Sequence, residues 1–281
     1  HSGLFLCISQ NTADDLRRVA EARGIARELP IEVVPLGADL PEAEPEPMNM
    51  PPEIGRYMLV VGTLEPRKNQ GLVLQAFEQL RRRHDDLGLV LVGRQGWMVD
   101  ELAESIREHP DFGERLLWPD GVTDAQLAWL YENAFLTIAP SRYEGLGVPV
   151  MEALSHGSPT MASTGGALVE AGAGLTEAIS PDDLDALVVA IERHLMDDDH
   201  HHELVLAARR YEMPRWSATA DAVAAALARL GTTHPPLPGR LPRRAGTADA
   251  TAGDAQSRSG NGTPEGGGDK AAHDGTGQES S

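Results

Sequence analysis

Short apolar segments alternate with amphipathic ones over most of this sequence. Five segments are dominated by apolar residues, as strands buried on both faces of a parallel sheet are, and they lie at 57–62, 89–93, 116–118, 135–139 and 159–163. The segments between them have helical spacing and predict helices at 72–83, 100–108, 124–133 and 148–156. The alternation predicts an α/β fold built on a Rossmann-like, doubly wound parallel sheet.

The pattern changes on both sides of this region. Downstream, three amphipathic helices are predicted at 182–196, 202–211 and 218–230. Upstream, a strand at 4–9, a helix at 12–23 and a strand at 31–35 precede a Pro- and Glu-rich stretch. We therefore predict an N-terminal part at 1–40, a connector at 41–55, the Rossmann-like domain at 56–231, and a disordered tail at 232–281.

Charge and cysteine content limit the classes of function. The 281 residues include 24 Lys and Arg against 43 Asp and Glu, a formal charge of −19. Such a chain disfavours nonspecific binding to nucleic acid or to an anionic membrane, so a phosphate group must meet a local basic pocket. Cys7, the single cysteine, lies in an apolar run and is expected to be buried rather than reactive. No stretch is long and apolar enough for a membrane span, and we expect a cytoplasmic protein.

The segment 140–157, PSRYEGLGVPVMEALSHG, follows a predicted strand and opens a predicted helix. Gly145 and Gly147 allow close approach of a ligand to the backbone, and the N–H groups of the helix start favour an anion such as a diphosphate. Glu144 and Glu152 can face the same cleft, where one carboxylate would accept hydrogen bonds from sugar hydroxyls and the other from ribose hydroxyls. Alternatively, both are ordinary carboxylates at a helix start.

A second polar segment, VVGTLEPRKN at 60–69, follows another predicted strand. Arg67 can hold phosphate oxygens with its planar fork, and Lys68 supplies a compact charge. A solvated basic turn is the alternative. Because both segments follow the carboxyl ends of strands in one sheet, two unrelated explanations are less economical than one shared anion site.

Four ordered motifs carry a family resemblance. They are GTLEPRKN at 62–69, LVGRQGW at 91–97, DGV at 120–122 followed by Leu130 and Tyr131, and PSRYEGLGVPVMEA at 140–153. Together they resemble glycosyltransferase family 4, and the resemblance extends over about residues 1 to 215. It implies half of a GT-B fold, and an enzyme that moves a sugar from a nucleoside-diphosphate donor to an acceptor with retention of configuration.

The resemblance also implies roles for individual residues. Arg67 and Lys68 would contact the donor diphosphate, Glu152 the ribose, Val122 the nucleobase, and Glu144 the sugar. The implied catalytic set is Arg67, Lys68 and Glu144, and the implied donor-binding set is Gly62, Thr63, Arg67, Lys68, Val122, Glu144, Gly145, Leu146, Gly147, Val148 and Glu152. No cofactor and no metal are expected, and GDP-mannose is favoured as donor over a UDP-sugar.

The front of the chain resembles another part of the family. The segments 7–16 and 31–39 look like the end of the N-terminal acceptor domain and its crossover, so the acceptor, a glycan or a lipid-linked one, is expected to bind a domain that is mostly missing here. The helix at 216–230 resembles the one that returns to that domain. Thr63 stands where many members have an arginine, and the loop 164–174 is altered. Peripheral attachment to the inner membrane is expected of the full-length enzyme.

Other interpretations remain open. A noncatalytic nucleotide-sugar-binding module, an inactive fragment or a GT-B-fold epimerase would share these motifs, whereas a phosphorylase would need a lysine motif for pyridoxal phosphate. Trp97 would border the nucleotide or, more commonly for an aromatic residue, pack internally. A metal site at the histidines 200–202 is disfavoured, because consecutive residues do not share a helix face and no distant His or Cys pair completes a site.

Overall fold

The computed structural model describes residues 4–25, 29–38 and 44–233. Most of the predicted tail therefore lies outside the described residues. In chain order the elements are β1 (Phe5–Cys7), α1 (Gln10–Ala22), β2 (Ile31–Val33), β3 (Arg56–Val61), α2 (Gln70–Leu80), β4 (Leu87–Val92), α3 (Asp100–Arg107), β5 (Leu116–Leu117), α4 (Asp124–Asn133), β6 (Leu136–Ala139), α5 (Val148–Ser155), β7 (Thr160–Ser163), α6 (Leu168–Ala171), β8 (Glu177–Ile179), α7 (Leu184–Met196), α8 (Asp198–Ala208) and α9 (Trp216–Thr233). None of the helices in the described ranges is long and apolar enough to cross a membrane.

The main sheet has six parallel strands in the order β5-β4-β3-β6-β7-β8. The chain therefore starts in the middle of the sheet, adds strands toward one edge, and then returns to add strands toward the other. The order reverses between β3 and β6, which pair through Met58 with Leu136 and Leu59 with Thr137. This doubly wound topology confirms the predicted fold class.

Alternating residues of the strands supply the two faces of the core. In β3, Met58 and Val60 pack with a cluster that includes residues of α2, α3 and α7, while Tyr57 and Leu59 pack with residues of α4 on the opposite face. All six residues of β4 are buried. Because helices cover both faces, the strands carry apolar residues at successive positions, which explains why their positions could be predicted from the sequence.

The structure also differs from the sequence-based prediction downstream of Ser163. Two short elements, α6 and β8, lie where no helix or strand was predicted. Helix α8 begins at Asp198 instead of residue 202, because Asp197 accepts a hydrogen bond from the His200 backbone N–H at 3.0 Å and caps the helix. Helix α9 continues through Thr233, past the predicted boundary at 231.

The N-terminal part forms its own two-stranded parallel sheet, β1 with β2, and α1 connects the two strands. Cys7 is 5% exposed, which confirms the expected burial. Helix α9 packs back against this part: Thr219 Oγ1 accepts from Gly37 N and donates to Pro35 O, both at 2.7 Å, and Arg229 pairs with Glu32. Contacts of this kind are expected of a helix that returns to the N-terminal part.

Candidate functional site

The loops that follow β3 and β6 lie side by side at the point where the strand order reverses. Two hydrogen bonds join them: Arg142 N donates to Arg67 O at 2.8 Å, and Asn69 Nδ2 donates to Pro140 O at 3.2 Å. In doubly wound sheets the crevice beside such a switch point is the usual ligand site. The two polar segments 60–69 and 140–157 therefore lie at the same site.

The loop after β3 is shaped by its backbone. Gly62 has φ 140°, and a Cβ at this position would lie 3.4 Å from Lys68 Cε. The buried Gln70 amide donates to Gly62 O at 3.3 Å and to Thr63 O at 2.9 Å, which fixes the end of the strand. A 3₁₀ turn at Pro66–Lys68 follows and ends at Asn69, whose φ of 59° is left-handed. The turn directs Arg67 and Lys68 toward the neighbouring loop, whereas the Thr63 side chain is exposed.

Glu144 forms ion pairs with both cations. Arg67 Nη1 lies 2.6 Å from Glu144 Oε2, and Lys68 Nζ lies 2.7 Å from Oε1. Arg67 also donates to Tyr143 O at 2.8 Å and to Glu65 Oε1 at 2.7 Å. The Glu144 and Lys68 side chains are 11% and 15% exposed, whereas Arg67 is 40% exposed, so the cluster is open on the arginine side.

The surroundings of Glu144 keep its carboxylate charged. Burial is the largest single influence on its pKa and acts to raise it. The hydrogen bond and charge of Lys68, together with hydrogen bonds from Ser141 and Arg67, outweigh burial, so the pKa of Glu144 lies below its ordinary value. A carboxylate in this state accepts hydrogen bonds from donors and does not release a proton near neutral pH.

The loop from Glu144 to Gly147 is covered by the segment before α6. Ala167 N donates to Glu144 O at 2.9 Å, and a Cβ on Gly166, which has φ 68°, would lie 2.3 Å from the same oxygen. Gly147 adopts φ 96° as the N-cap of α5. Within the described ranges, the backbone N–H groups of Gly145 and Leu146 donate to no protein acceptor. Two main-chain donors beside two cations make this loop suited to an anionic ligand.

Glu152 lies further along α5 in a different environment. Tyr131 OH, in α4, donates to Glu152 Oε2 at 3.1 Å, and the Tyr131 ring stacks on His156. Burial raises the pKa of Glu152, although Tyr131, His156 and Lys68 act in the opposite direction. Val122 packs against the apolar cluster that contains Tyr131, which places it on the same side of the site as Glu152.

The N-terminal part contacts the loop directly. Ser9 Oγ donates to Gly145 O at 2.7 Å, and Thr12 Oγ1 donates to the same oxygen at 3.2 Å. The Glu170 carboxylate accepts from the backbone N–H of Gln10 at 2.8 Å and caps the start of α1 from the altered loop. The segment that resembles an acceptor domain therefore touches the residues expected to hold the donor sugar.

The structure brings the predicted residues into two neighbouring groups. One group contains Gly62, Arg67, Lys68 and the loop 144–147, named the glycine loop. In the other, Glu152 accepts a hydrogen bond from Tyr131, and Val122 packs against the apolar cluster that contains Tyr131. Lys68 connects them electrostatically, because its charge acts on the pKa of Glu152.

The expectation that Trp97 packs internally is wrong: it is 60% exposed, and its indole N–H donates to Glu65 Oε2 at 3.2 Å.

Sequence reasoning missed several supporting residues. They stabilise the site through contacts that depend on tertiary structure: Ser9, Thr12, Glu65, Gln70, Tyr131, Ser141 and Glu170. Glu65, Tyr131 and Ser141 lie in or next to the motifs quoted from the sequence, and Gln70 follows one of them directly, so position in a motif is the signal that could have identified these four.

A doubly wound parallel sheet with charged groups at its switch point defines a class of α/β proteins that bind ligands at the carboxyl ends of their strands. The chain belongs to the family described as Glycosyl transferases group 1, which matches residues 48–211.

Curated relatives are similar over part of their length. The serotype-specific mannosyltransferase WbdA of Escherichia coli is 35% identical over 174 residues, which cover 57% of this chain and 21% of that protein. The D-inositol 3-phosphate glycosyltransferase of Kineococcus radiotolerans is 28% identical over 239 residues, 75% of this chain and 54% of that protein. The chain thus spans about a fifth to about half of the length of these relatives.

Among solved structures, sucrose-phosphate synthase from Thermosynechococcus elongatus superposes with a TM-score of 0.64 at 21% identity, covering 83% of this chain and 60% of that one. At this identity the similarity establishes the fold.

Proposed function

We propose that this chain is the donor-binding half of a retaining glycosyltransferase of family 4, which moves a sugar from a nucleoside diphosphate to an acceptor. The observation that supports this most is the Arg67, Glu144 and Lys68 cluster at the switch point of the sheet. Two of the relatives are named as a mannosyltransferase and as an inositol-phosphate glycosyltransferase, and both names support sugar transfer. The mannosyltransferase name favours GDP-mannose over a UDP-sugar as the donor.

In this proposal the diphosphate competes with Glu144 for the two cations. Arg67 can hold two phosphate oxygens at once, Lys68 adds a point charge, and the N–H groups of Gly145 and Leu146 complete the anion site. Charge that develops on the departing diphosphate then meets donors that are already in place, which is the main way such a site lowers the barrier. No metal or organic cofactor has a part in this proposal.

Glu144 acts as a ligand for the sugar and not as a nucleophile or an acid. Its lowered pKa excludes proton donation near neutral pH, and hydrogen bonds from the sugar hydroxyls occupy its oxygens once the diphosphate has taken the cations, which weakens it as a nucleophile. In this proposal the acceptor attacks the anomeric carbon of the sugar on the face from which the diphosphate leaves, which retains the configuration. Isolation of a sugar covalently bound to Glu144 would overturn this assignment.

Glu152 and Val122 complete the donor site. Oε2 of Glu152 accepts from Tyr131, and in the described residues Oε1 has no hydrogen-bond partner, so Oε1 can accept from ribose hydroxyls. Val122 offers an apolar surface to the nucleobase. A glycan or lipid-linked acceptor would bind an N-terminal domain, and we propose a cytoplasmic enzyme that associates peripherally with the inner membrane.

Calorimetry with GDP and UDP tests the donor site. The wild-type chain should bind GDP more tightly than UDP, and Lys68→Ala should weaken binding about tenfold, the loss of about 1.4 kcal/mol expected for one charge-assisted contact. Arg82→Ala removes an equal charge from an exposed position at the end of α2 and should leave binding unchanged. Absence of binding of either nucleotide to the wild type, or equal losses in both variants, would contradict the proposal.

A turnover assay distinguishes an enzyme from a noncatalytic binding module. Release of the sugar from GDP-mannose, measured with and without an added N-terminal acceptor domain, should appear only with that domain. Donor binding that is never followed by sugar release or transfer in either mixture would instead establish a noncatalytic module.

A further inference from the structure

Three side chains with metal-binding atoms converge far from the donor site. Glu177 is the first residue of β8, His194 lies in the last turn of α7, and His200 lies in the first turn of α8. His194 Nε2 lies 2.8 Å and His200 Nε2 3.3 Å from Glu177 Oε2, and one atom from each residue lies within 4.8 Å of the others. This group is named the His–Glu cluster below.

The sequence disfavoured a metal at the histidines 200–202, because consecutive residues do not share a helix face and no distant His or Cys pair was seen to complete a site. The structure brings together a different set of side chains: the turn between α7 and α8 places His194 next to His200, with their rings stacked at 4.4 Å, and the sheet supplies Glu177. The ligands come from three elements, and only one of them lies in the histidine run.

Several ring nitrogens in this region lack partners. His194 has a fully buried side chain, and its Nδ1 accepts or donates no hydrogen bond within the described residues. His200 Nε2, although close to Glu177, has no aligned partner, and the same holds for Nδ1 of the neighbouring His201. Buried polar atoms are nearly always paired, and among these nitrogens His200 Nε2 is the one that lies beside Glu177 Oε2, so a bonding partner is missing at that atom.

We propose that the His–Glu cluster binds a divalent transition-metal ion, with Zn²⁺ as the best match. Two imidazoles and one carboxylate are ligands that Zn²⁺ accepts, whereas Mg²⁺ and Ca²⁺ require oxygen ligands. Zinc bonds of about 2.0–2.1 Å in a tetrahedron place neighbouring ligand atoms roughly 3.3 Å apart. The spacings of 2.8 and 3.3 Å around Glu177 Oε2 are close to this value, and water would fill the fourth position.

The location assigns this ion a structural role. Glu177 begins its strand, so the cluster lies at the amino end of β8, whereas the donor loops follow the carboxyl ends of β3 and β6. Because all strands of the sheet are parallel, the His–Glu cluster lies at the side of the sheet formed by the amino ends of the strands, and the donor loops lie at the side formed by the carboxyl ends. The ion joins β8, α7 and α8 and stabilises the packing of these two helices on the sheet.

Zinc binding by an untagged chain tests the proposal. Competition with a chromophoric chelator should give one tight Zn²⁺ per chain, and Zn²⁺ but not Mg²⁺ should raise the thermal midpoint. Glu177→Gln and His200→Ala, which alter the two partly exposed ligands, should each weaken Zn²⁺ binding at least tenfold. His202→Ala is the matched control, because His202 is exposed and adjacent, and it should bind zinc as the wild type does.

Cobalt substitution gives an independent measurement. Co²⁺ bound by the wild type and by the His202→Ala variant should show the visible absorption of a four-coordinate site, and the Glu177→Gln spectrum should lose it. Circular dichroism of each metal-free variant checks that loss of binding is not loss of folding. Weak zinc binding that is equal in all four proteins, which would reflect the other histidines among the 10 in the chain, would overturn the proposal.

Discussion

At the scale of single residues, two carboxylates of the same segment have opposite electrostatic surroundings. Glu144 is held ionised by Lys68, Ser141 and Arg67 against the effect of burial, whereas burial dominates at Glu152 and favours its protonated form. A depressed pKa in the folded state adds stability that is present above the ordinary pKa of glutamate, and a raised pKa adds stability only at low pH. The two residues should therefore respond oppositely to neutralisation.

Substitution by glutamine at each position tests this difference. At neutral pH, Glu144→Gln should lower the free energy of unfolding by about 1.5 to 3 kcal/mol, the range for a hydrogen bond to a charged group, and the loss should disappear as the pH falls through the depressed pKa of Glu144. Glu152→Gln should stabilise the chain at neutral pH and leave it unchanged in acid. Urea unfolding at successive pH values provides the measurement, and shifts of the same sign at neutral pH would refute the assignment.

At the scale of elements, short structural segments position the charged groups. The 3₁₀ turn at Pro66–Lys68 directs both cations to one side, and α6 supplies Glu170 to the start of α1. Ser9 and Thr12 hold the N-terminal part to the loop 144–147 through Gly145 O, and Glu170 of α6 holds the start of α1. Contacts to the start of one helix thus fix the distance between the N-terminal part and the loop.

Glu170→Ala should loosen this connection without unfolding the sheet. Loss of a carboxylate at a helix start costs about 1 kcal/mol, so exchange of the Gln10 and Asn11 amides should accelerate about fivefold. Glu203→Ala, at an exposed position of α8, is the control and should not change exchange in α1. Hydrogen exchange read out by mass spectrometry decides the question, and equal protection in both variants would show that Glu170 does not hold α1.

The accuracy of prediction also depends on the element. Strands β3 to β7 were predicted within two residues of their observed starts because each is a short apolar run, and α4 was predicted with its observed bounds. The elements α6 and β8 have only 4 and 3 residues, too few for a periodic signal. The start of α8 was misplaced because its first turn is polar and carries no apolar periodicity, and the Asp197 cap was not recognised.

At the scale of the whole molecule, the topology explains why the site could be predicted only in outline. Consecutive strand ends of a doubly wound sheet must meet at the switch point, so proximity of the two motifs followed from the predicted fold. The ion pairs of Glu144 with Arg67 and Lys68 connect distant segments, and no local pattern reports which side chains meet. The same holds for the His–Glu cluster, which depends on how two helices turn.

Helix α9 connects the C-terminal end of the described chain to its N-terminal part through Thr219. Thr219→Val keeps the shape of the side chain but removes the hydrogen bonds to Gly37 N and Pro35 O, which should cost about 1 to 3 kcal/mol because the glycine N–H is left buried. Ser217→Ala, at an exposed position of the same helix, should cost much less. Comparison of the two by chemical denaturation tests whether α9 and the N-terminal part unfold together, and equal effects would show that they do not.

The pairing of Glu144 and Glu65 with Arg67 and Lys68 has a consequence for selectivity among anions. Two carboxylates balance two cations, so the four side chains together present no net charge to the solvent. Inorganic phosphate, which is small and abundant in cells, gains little by displacing a carboxylate from partners of equal strength. A ligand that brings further contacts, to Glu152 and to the N–H groups of the loop, gains more than it displaces. We therefore expect the proposed donor site to disfavour inorganic phosphate through this internal neutralisation and to favour the larger ligand.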